Sequence, residues 1–481
     1  MKSILFRLLL FSGVAIHATI AMAQSSGGRF TATGDLTTPR VGHTATLLTN
    51  GRVLIAGGGS TSDGKATLAS AELYDPLTGT FTATGDMTMT HSYHTATLLP
   101  DGKVLIVGGS GGLNSSAEIY DPATGTFTAT GQRTKAFYVV TAVLLPNGKV
   151  LIAGYTGLWN GLASAELYEP STQAFTATGE MTARGRVTAC LLSNGKVLIS
   201  GDRWSGSDEI YDPDTGIFSL VGARRTTFPG DYMYMSPVSA RLLTNGKVLI
   251  TLYSEDLGDG AEIYDPSTGT FTAALGFPVD SVWPYRSWGL GTLLPDGAVL
   301  FTGRYGAELY DSATGTLSFA GPMLTGQAIG RVHTLLPEGN VLISGGWICC
   351  GTGSTIASAE IYHPAVLVPA PVLLSLSGDG QGQGAIQHSG TSRIASATDP
   401  AVAGEYLTIY GTGLLDGSVI PPQVSIGGRL AEILFFGKSP GFDGLNQVNV
   451  RMPSGVVPGT AVPVRLNYLG RPSNEVTIGV R

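Results

Sequence analysis

Short apolar runs broken by turn residues recur down most of this chain, and their order repeats. The cleanest copy reads His94-Thr95-Ala96-Thr97-Leu98-Leu99-Pro100-Asp101-Gly102-Lys103-Val104-Leu105-Ile106-Val107-Gly108-Gly109, followed by Ala117-Glu118-Ile119-Tyr120-Asp121-Pro122-Ala123-Thr124-Gly125-Thr126-Phe127-Thr128-Ala129-Thr130-Gly131. The first half recurs at Val53, Val104, Val150, Val197, Val248, Val299 and Val341, and the second at Glu72, Glu118, Glu166, Glu209, Glu262, Glu308 and Glu360. Each unit holds four runs of strand length. Asp101-Gly102 joins two of them by a tight turn, and Asp-Pro-x-Thr-Gly joins the other two, Pro presetting φ and Gly accepting a positive one. Each unit is therefore a four-stranded antiparallel meander, strands a to d. Val104 to Val107 is apolar on both faces, so its sheet is covered on both sides. Sheets that bury both faces against copies of themselves build a radial repeat, and seven units predict an all-β, seven-bladed β-propeller over residues 28–364.

The Gly-Gly pairs closing strand b (Gly57-Gly58, Gly108-Gly109, Gly345-Gly346) and the Tyr-Asp closing strand c resemble kelch repeats. Three units weaken the pair, to Ala153-Gly154, Ser200-Gly201 and Thr302-Gly303, and the fifth carries Thr251-Leu252 instead. A strand-d phrase, Phe30-Thr31-Ala32-Thr33-Gly34, precedes the first complete unit, while the last ends at Tyr362-His363-Pro364 without one. The first strand is thus expected to complete the last sheet and close the ring.

Residues 1–23 read as a secretory signal peptide: Lys2 and Arg7, an apolar run from Leu8 to Ile20, then Ala21-Met22-Ala23. The run is shorter than the ~20 residues of a span, so an exported protein, secreted, periplasmic or extracellular, is expected rather than a membrane anchor. Charged residues make up 13% of the chain and the net charge is −7, which does not suit a nucleic-acid surface. Three Cys among 481 residues leave the core to apolar burial, and a monomer is expected.

Residues 365–371 read as a stiff linker, and Ser375 to Ser396, rich in Gly, Gln and Ser, is expected to hold a mobile or loosely ordered segment. Strand-like runs return at Glu405 to Leu414, Gln423 to Gly428, Gln447 to Val450, Val462 to Leu466 and Glu475 to Val480. They resemble an immunoglobulin-like β-sandwich of the IPT/TIG kind over residues 372–481.

A residue present in every unit serves the scaffold, so the repeated Glu, Tyr and Asp are structural and function belongs to what differs. The a–b and c–d turns at one end are monotonous. The b–c and d–a loops at the other end vary, and they hold all five Trp and ten of the thirteen Arg between residues 29 and 364. The candidate ligand-binding residues are Trp159, Trp204, Trp283, Trp288, Trp347, Tyr93, Arg186, Arg225, Arg286 and Arg304. Aromatic faces suit sugar rings and Arg suits carboxylates or hydroxyls, so the expected ligand is carbohydrate or a protein partner. The plainer role for any one of them is packing between sheets or pairing with Asp or Glu. His43, His91, His94 and His333 cluster near the starts of strand a in neighbouring units, a possible metal set, but their spacing does not favour one. Adjacent Cys349-Cys350 suit a vicinal disulfide or a reduced pair, and Cys190 a small buried residue.

Among kelch proteins with chemistry, the chain most resembles secreted galactose-oxidase-like copper radical oxidases. That resemblance implies a Tyr cross-linked to a Cys, a Tyr-His pair opening the last blade and a His from the C-terminal domain. Tyr93 takes the place of the cross-linked Tyr, but Gly42 stands in the Cys slot and Gly330-Arg331-Val332-His333 opens the last unit without a Tyr before the His. His388 is the sole C-terminal His. The copper ligand set is not preserved, and no cofactor is expected. No other catalytic constellation stands out, so the reading is an exported binding protein; a carbohydrate-active enzyme with its site at the channel mouth and a structural adhesin are the alternatives.

Overall fold

The computed structural model describes residues 28–61, 66–109, 117–134, 138–156, 163–182, 187–201, 208–222, 236–254, 258–274, 291–303, 306–326, 328–348, 353–415 and 417–481. Among them there is no helix long and apolar enough to cross a membrane. Every regular element among the described residues is a strand.

Among the described residues, seven antiparallel sheets of four strands each follow one another. The second comprises Thr95–Leu98, Val104–Val107, Ala117–Asp121 and Thr126–Ala129. Its a–b connection is longer than a two-residue hairpin: the Gly102 amide donates to Leu99 O (2.9 Å) and the Leu99 amide to Lys103 O (2.8 Å). Pro100 and Asp101 occupy the middle of that turn, and Gly102 takes φ +88°. The Asp-Pro turn behaves as its sequence requires, with Gly125 N donating to Asp121 O at 2.8 Å and Ala123 N to the Asp121 carboxylate at 2.9 Å.

Strand b of each sheet is covered on both faces. Val104 and Ile106 pack with Leu54 and Ala56 of the first sheet, while Leu105 and Val107 pack with Val150 and Ile152 of the third. Each such side chain contributes about 1.5–3 kcal/mol on burial. Cores of this kind lie between every consecutive pair of sheets, and Val53 and Ile55 of the first share one with Leu342 and Ile361 of the last. The sheets are arranged radially, as in a propeller.

The expected closure is present. Arg29–Ala32 pairs antiparallel with Ala359–His363, Phe30 opposite Tyr362, and completes the last sheet. The joint between last and first sheets then repeats the interior ones. Gly34 N donates to Gly79 O (2.8 Å) as Gly85 N does to Gly125 O (3.0 Å), and Gly346 N to Arg40 O (2.9 Å) as Gly58 N does to His91 O (2.7 Å). The glycine pair exists for this crossing: a Cβ at Gly57 would stand 2.4 Å from His91 O. Where the pair is lost the strands run on, to Val248–Ser254 and Gly258–Asp265 in the fifth unit.

The C-terminal part folds as two five-stranded sheets face to face. Leu407, Ile409, Val448 and Val450 of one share a core with Val424, Val464, Leu466 and Ile478 of the other. The Gly/Gln/Ser stretch is more ordered than its composition suggests. Ile386–His388 pairs with Tyr406–Thr412, and Gln383 Nε2 donates to Ala395 O and Thr477 O. This sandwich meets the a–b turns: Val419 N donates to Thr244 O (3.3 Å) and Ala370 N to Pro337 O (2.7 Å), and Gly428 lies against Asp101. The a–b end of the ring is therefore partly covered, and the b–c and d–a loops stand at the other.

Candidate binding face

Eight of the ten candidate residues, Trp159, Trp204, Trp283, Trp288, Arg186, Arg225, Arg286 and Arg304, lie outside the described residues, as do Cys349 and Cys350. Tyr93 and Trp347 lie within them, on the loop end of neighbouring units.

Tyr93 enters strand a of the second sheet with a left-handed backbone, φ +54°, at the position where the first and last units have Gly42 (φ +64°) and Gly330 (φ +66°). An aromatic residue there is strained, and such strain concentrates at functional sites. Its amide donates to Gly42 O at 2.7 Å, and its side chain is 55% exposed. The ring lies over Gly42, whose added Cβ would meet Tyr93 Cδ1 and Cε1 at 3.0 Å. Trp347 is half-buried in a two-residue strand, Trp347–Ile348, paired with Ala328–Ile329 of the d–a loop. A Cβ at Gly330 would lie 3.2 Å from Val41 Cγ2 and 3.6 Å from Trp347 Cδ1. Val41 of the first unit and Trp347 therefore both lie against Gly330, while the Tyr93 ring lies against Gly42.

Three arginines of the variable loops turn inward instead. Arg40 donates to the Glu72 carboxylate (2.5 Å) and to Gly57 O (2.7 Å), Arg133 donates to Glu166 (2.5 Å), and Arg331 donates to Glu360. All six side chains are buried. Burial lowers the Arg40 and Arg331 pKa values, and the paired glutamates offset part of that shift. The repeated Glu also accepts the amides that enter its own sheet: Thr37 at 2.7 Å for Glu72, Thr88 at 2.7 Å for Glu118, Thr134 at 2.9 Å for Glu166, Thr182 at 3.0 Å for Glu209 and Leu324 at 2.8 Å for Glu360. These carboxylates fix the roots of the variable loops, a role their recurrence signalled but their chemistry alone did not. In the second unit His91 replaces Arg, with Nε2 3.0 Å from Glu118 and Nδ1 2.7 Å from Gly108 O. Burial raises the Glu118 carboxyl, but hydrogen bonds from His91 and Thr88 outweigh it and hold the carboxyl below its usual range.

The other histidines join sheets. His43 Nε2 is 3.1 Å from Ser344 Oγ, His94 Nε2 2.9 Å from Thr44 Oγ1 and His333 Nε2 2.6 Å from Thr302 Oγ1, each partner in the preceding unit. Burial, with Arg40 and Arg331 nearby, pushes His43 down to about 3, and burial beside His91 and His43 holds His94 well below its ordinary value. Among the described residues no three His, Cys, Asp or Glu side chains converge as a metal site would require. Burial pushes the Cys190 thiol up to about 12, an unreactive value. His388 is committed within the sandwich to Glu405 and to Asp399 O.

Stacked four-stranded meanders around a ring, with glycine pairs at the crossings, define a β-propeller. The kelch motif itself matches residues 92–130, the second unit. No curated protein matches the chain. Among solved structures it is similar to a novel fungal alcohol oxidase with catalytic diversity among the AA5 family, in complex with copper. That likeness has a TM-score of 0.57 and 17% identity, and covers 94% of this chain and 99% of the other. It is also similar to a streptogramin B lyase, at a TM-score of 0.50 and 12% identity over 70% of this chain and 98% of the other. At these identities the likeness is one of fold.

Proposed function

We propose that this protein is an exported binding protein whose b–c and d–a loop face takes carbohydrate or a protein partner. In this reading residues 1–23 direct export, residues 28–364 form a seven-bladed ring closed by its first strand, and an immunoglobulin-like module of the IPT/TIG kind follows a linker at residues 365–371. The observation that carries it is Tyr93: a half-exposed aromatic ring held on a strained backbone where neighbouring units use glycine. Trp347 lies on the same loop end, against Gly330 of the last unit. The variable loops that carry Trp159, Trp204, Trp283, Trp288, Arg186, Arg225, Arg286 and Arg304 supply the rest of the surface.

A carbohydrate-active enzyme is the second reading, favoured by the fold shared with the alcohol oxidase and by the placement of Tyr93 over Gly42. The residues do not fit that protein's copper. Gly42 offers no thiol beside the Tyr93 ring, and His43, His94 and His333 each commit Nε2 to a hydroxyl between sheets. We therefore derive no step through a metal.

A glycan array probed with the full mature chain tests the binding reading. Tyr93→Ala and Trp347→Ala should each weaken the signal at least tenfold, while Lys103→Ala on the opposite end leaves it unchanged. Equal binding by all three variants would remove the site from this face.

A further inference from the structure

We infer that the outer face of one sheet of the C-terminal sandwich is a second binding surface, separate from the loop face and built for a neutral polysaccharide. The sandwich has two outer faces. Gln423, Ser425 and Asn467 alternate with the core residues Val424, Ile426 and Leu466, so they point outward from their sheet. They line a cavity whose opposite wall is Leu98, Pro100 and Leu144 of the ring. That face is taken by the ring, and the other sheet turns its outer face away from it. Register assembles this free face. Leu407 and Ile409 enter the core, so Tyr406, Thr408 and Tyr410 of the same strand point out. The neighbouring strand sets Arg451, Asn449 and Gln447 opposite them in that order. Beyond it Glu432 lies beside Arg451, and the bulge at Leu434 brings Phe435 beside Asn449. Gln387 adjoins Thr408 from the other side. Tyr406 is 49% exposed and Phe435 43%. Tyr406 and Tyr410 stand about 13 Å apart along their strand, and Phe435 lies two strands away, about 10 Å across the sheet.

Chemistry selects the occupant. The two charged side chains of these rows, Arg451 and Glu432, pair with each other at 3.3 Å, so the face is neutral. Arg451 also steadies the Tyr406 ring, with Cζ 5.4 Å from its centroid and Nη2 donating to its hydroxyl at 3.3 Å. The Tyr410 hydroxyl donates to Gln387 Oε1 (3.2 Å), and Gln447 Nε2 donates to Asn449 Oδ1 (2.9 Å). Among the described residues the Gln387 and Asn449 amide nitrogens and Gln447 Oε1 have no further partner, which leaves two donors and an acceptor for a ligand. Sugar hydroxyls both donate and accept, and the C–H face of a sugar ring stacks on an aromatic side chain. A protein partner fits less well. Its strongest contacts would need a dry, well-packed centre, whereas here Thr408 and Asn449 hold the centre and the exposed rings stand around them.

Pull-down of the full mature chain on insoluble cellulose, chitin and β-1,3-glucan over a concentration series tests this. The wild-type chain should bind at least one of the three. Tyr406→Ala and Phe435→Ala should each weaken that binding about tenfold, with unchanged thermal melts showing that the fold is intact. Tyr406→Phe keeps the ring and should bind as wild type does. Tyr93→Ala should also bind this polymer as wild type does, which separates the surface from the loop face. Retention on none of the three polymers would overturn the proposal, as would binding indifferent to both sandwich variants or lost in Tyr93→Ala alone.

Discussion

Thr33 Oγ1 lies 2.9 Å from the Tyr74 hydroxyl, the bond that Thr84 makes to Tyr120 at 3.0 Å and Thr130 to Tyr168 at 2.9 Å. Thr33 follows the first strand of the chain, and Tyr74 belongs to the first complete unit. The joint that closes the ring is thus built from the same contact as the interior joints, and Arg29–Ala32 is a structural part of the last sheet.

Phe30 should matter far more than its place near the N-terminus suggests. Its ring sits 5.0 Å from that of Tyr362, at an angle of 49°. Phe30→Ala should cost about 2 kcal/mol, less than a fully buried Phe because Phe30 is only partly covered. Thr82→Ala, on the exposed outer strand of the first sheet, should cost less than about 0.5 kcal/mol. Urea unfolding of both variants measures the difference.

The Arg40–Glu72 pair is fully buried, so removing one partner strands the other. Arg40→Ala should cost about 3–5 kcal/mol. Arg40→His should cost less, because the second unit already meets its own glutamate with His91. The Arg40→Met/Glu72→Gln double variant should be milder than Arg40→Ala, and equilibrium denaturation orders the three.

Acid should weaken the ring through its histidines. His43 titrates near 6.5 when unfolded and about 3 when folded, because burial and the charges of Arg40 and Arg331 oppose its protonation. The unfolded chain therefore binds a proton that the folded chain refuses. Stability is fully present above about pH 6.5 and falls as the pH drops toward 3, by at most about 1.4 kcal/mol per pH unit for this one group. Replacing it, in His43→Gln, should flatten the decline between pH 6.5 and 4 relative to wild type. Parallel declines in the two proteins would show that other groups set the acid limit.

Gly42 and Tyr93 should behave as a coupled pair. Gly42→Ala puts a Cβ against the Tyr93 ring at 3.0 Å on a backbone of positive φ, so it should destabilise by about 1–2 kcal/mol. Tyr93→Gly relieves both the contact and its own strain, and the double variant should recover part of the loss. A double-mutant cycle reads the coupling.

The scaffold was legible in the chain because it is repeated. Val104 to Val107 predicts a sheet buried on both faces, and the orphan phrase at Phe30 predicts the closure; both depend on local pattern. The loop arginines were harder. Nothing local distinguishes Arg40, Arg133 and Arg331, which turn inward to glutamates, from an arginine facing solvent. The partner stands 29 to 33 residues away in sequence, on strand c of the same unit. Composition likewise misjudged Ser375 to Ser396, whose backbone finds partners in distant strands such as Tyr406–Thr412. In sequence Tyr93 is one aromatic residue among several of the variable loops, whereas its distinguishing property is a backbone angle that only three dimensions reveal.

Hydrogen exchange read by mass spectrometry on the folded chain tests ring closure, on which the placement of the binding face rests. The peptide spanning Arg29 to Thr33 should exchange as slowly as the peptide spanning Ala359 to His363, with which it shares a ladder. Exchange of the first peptide at the rate of unstructured chain, while the second stays protected, would contradict the account.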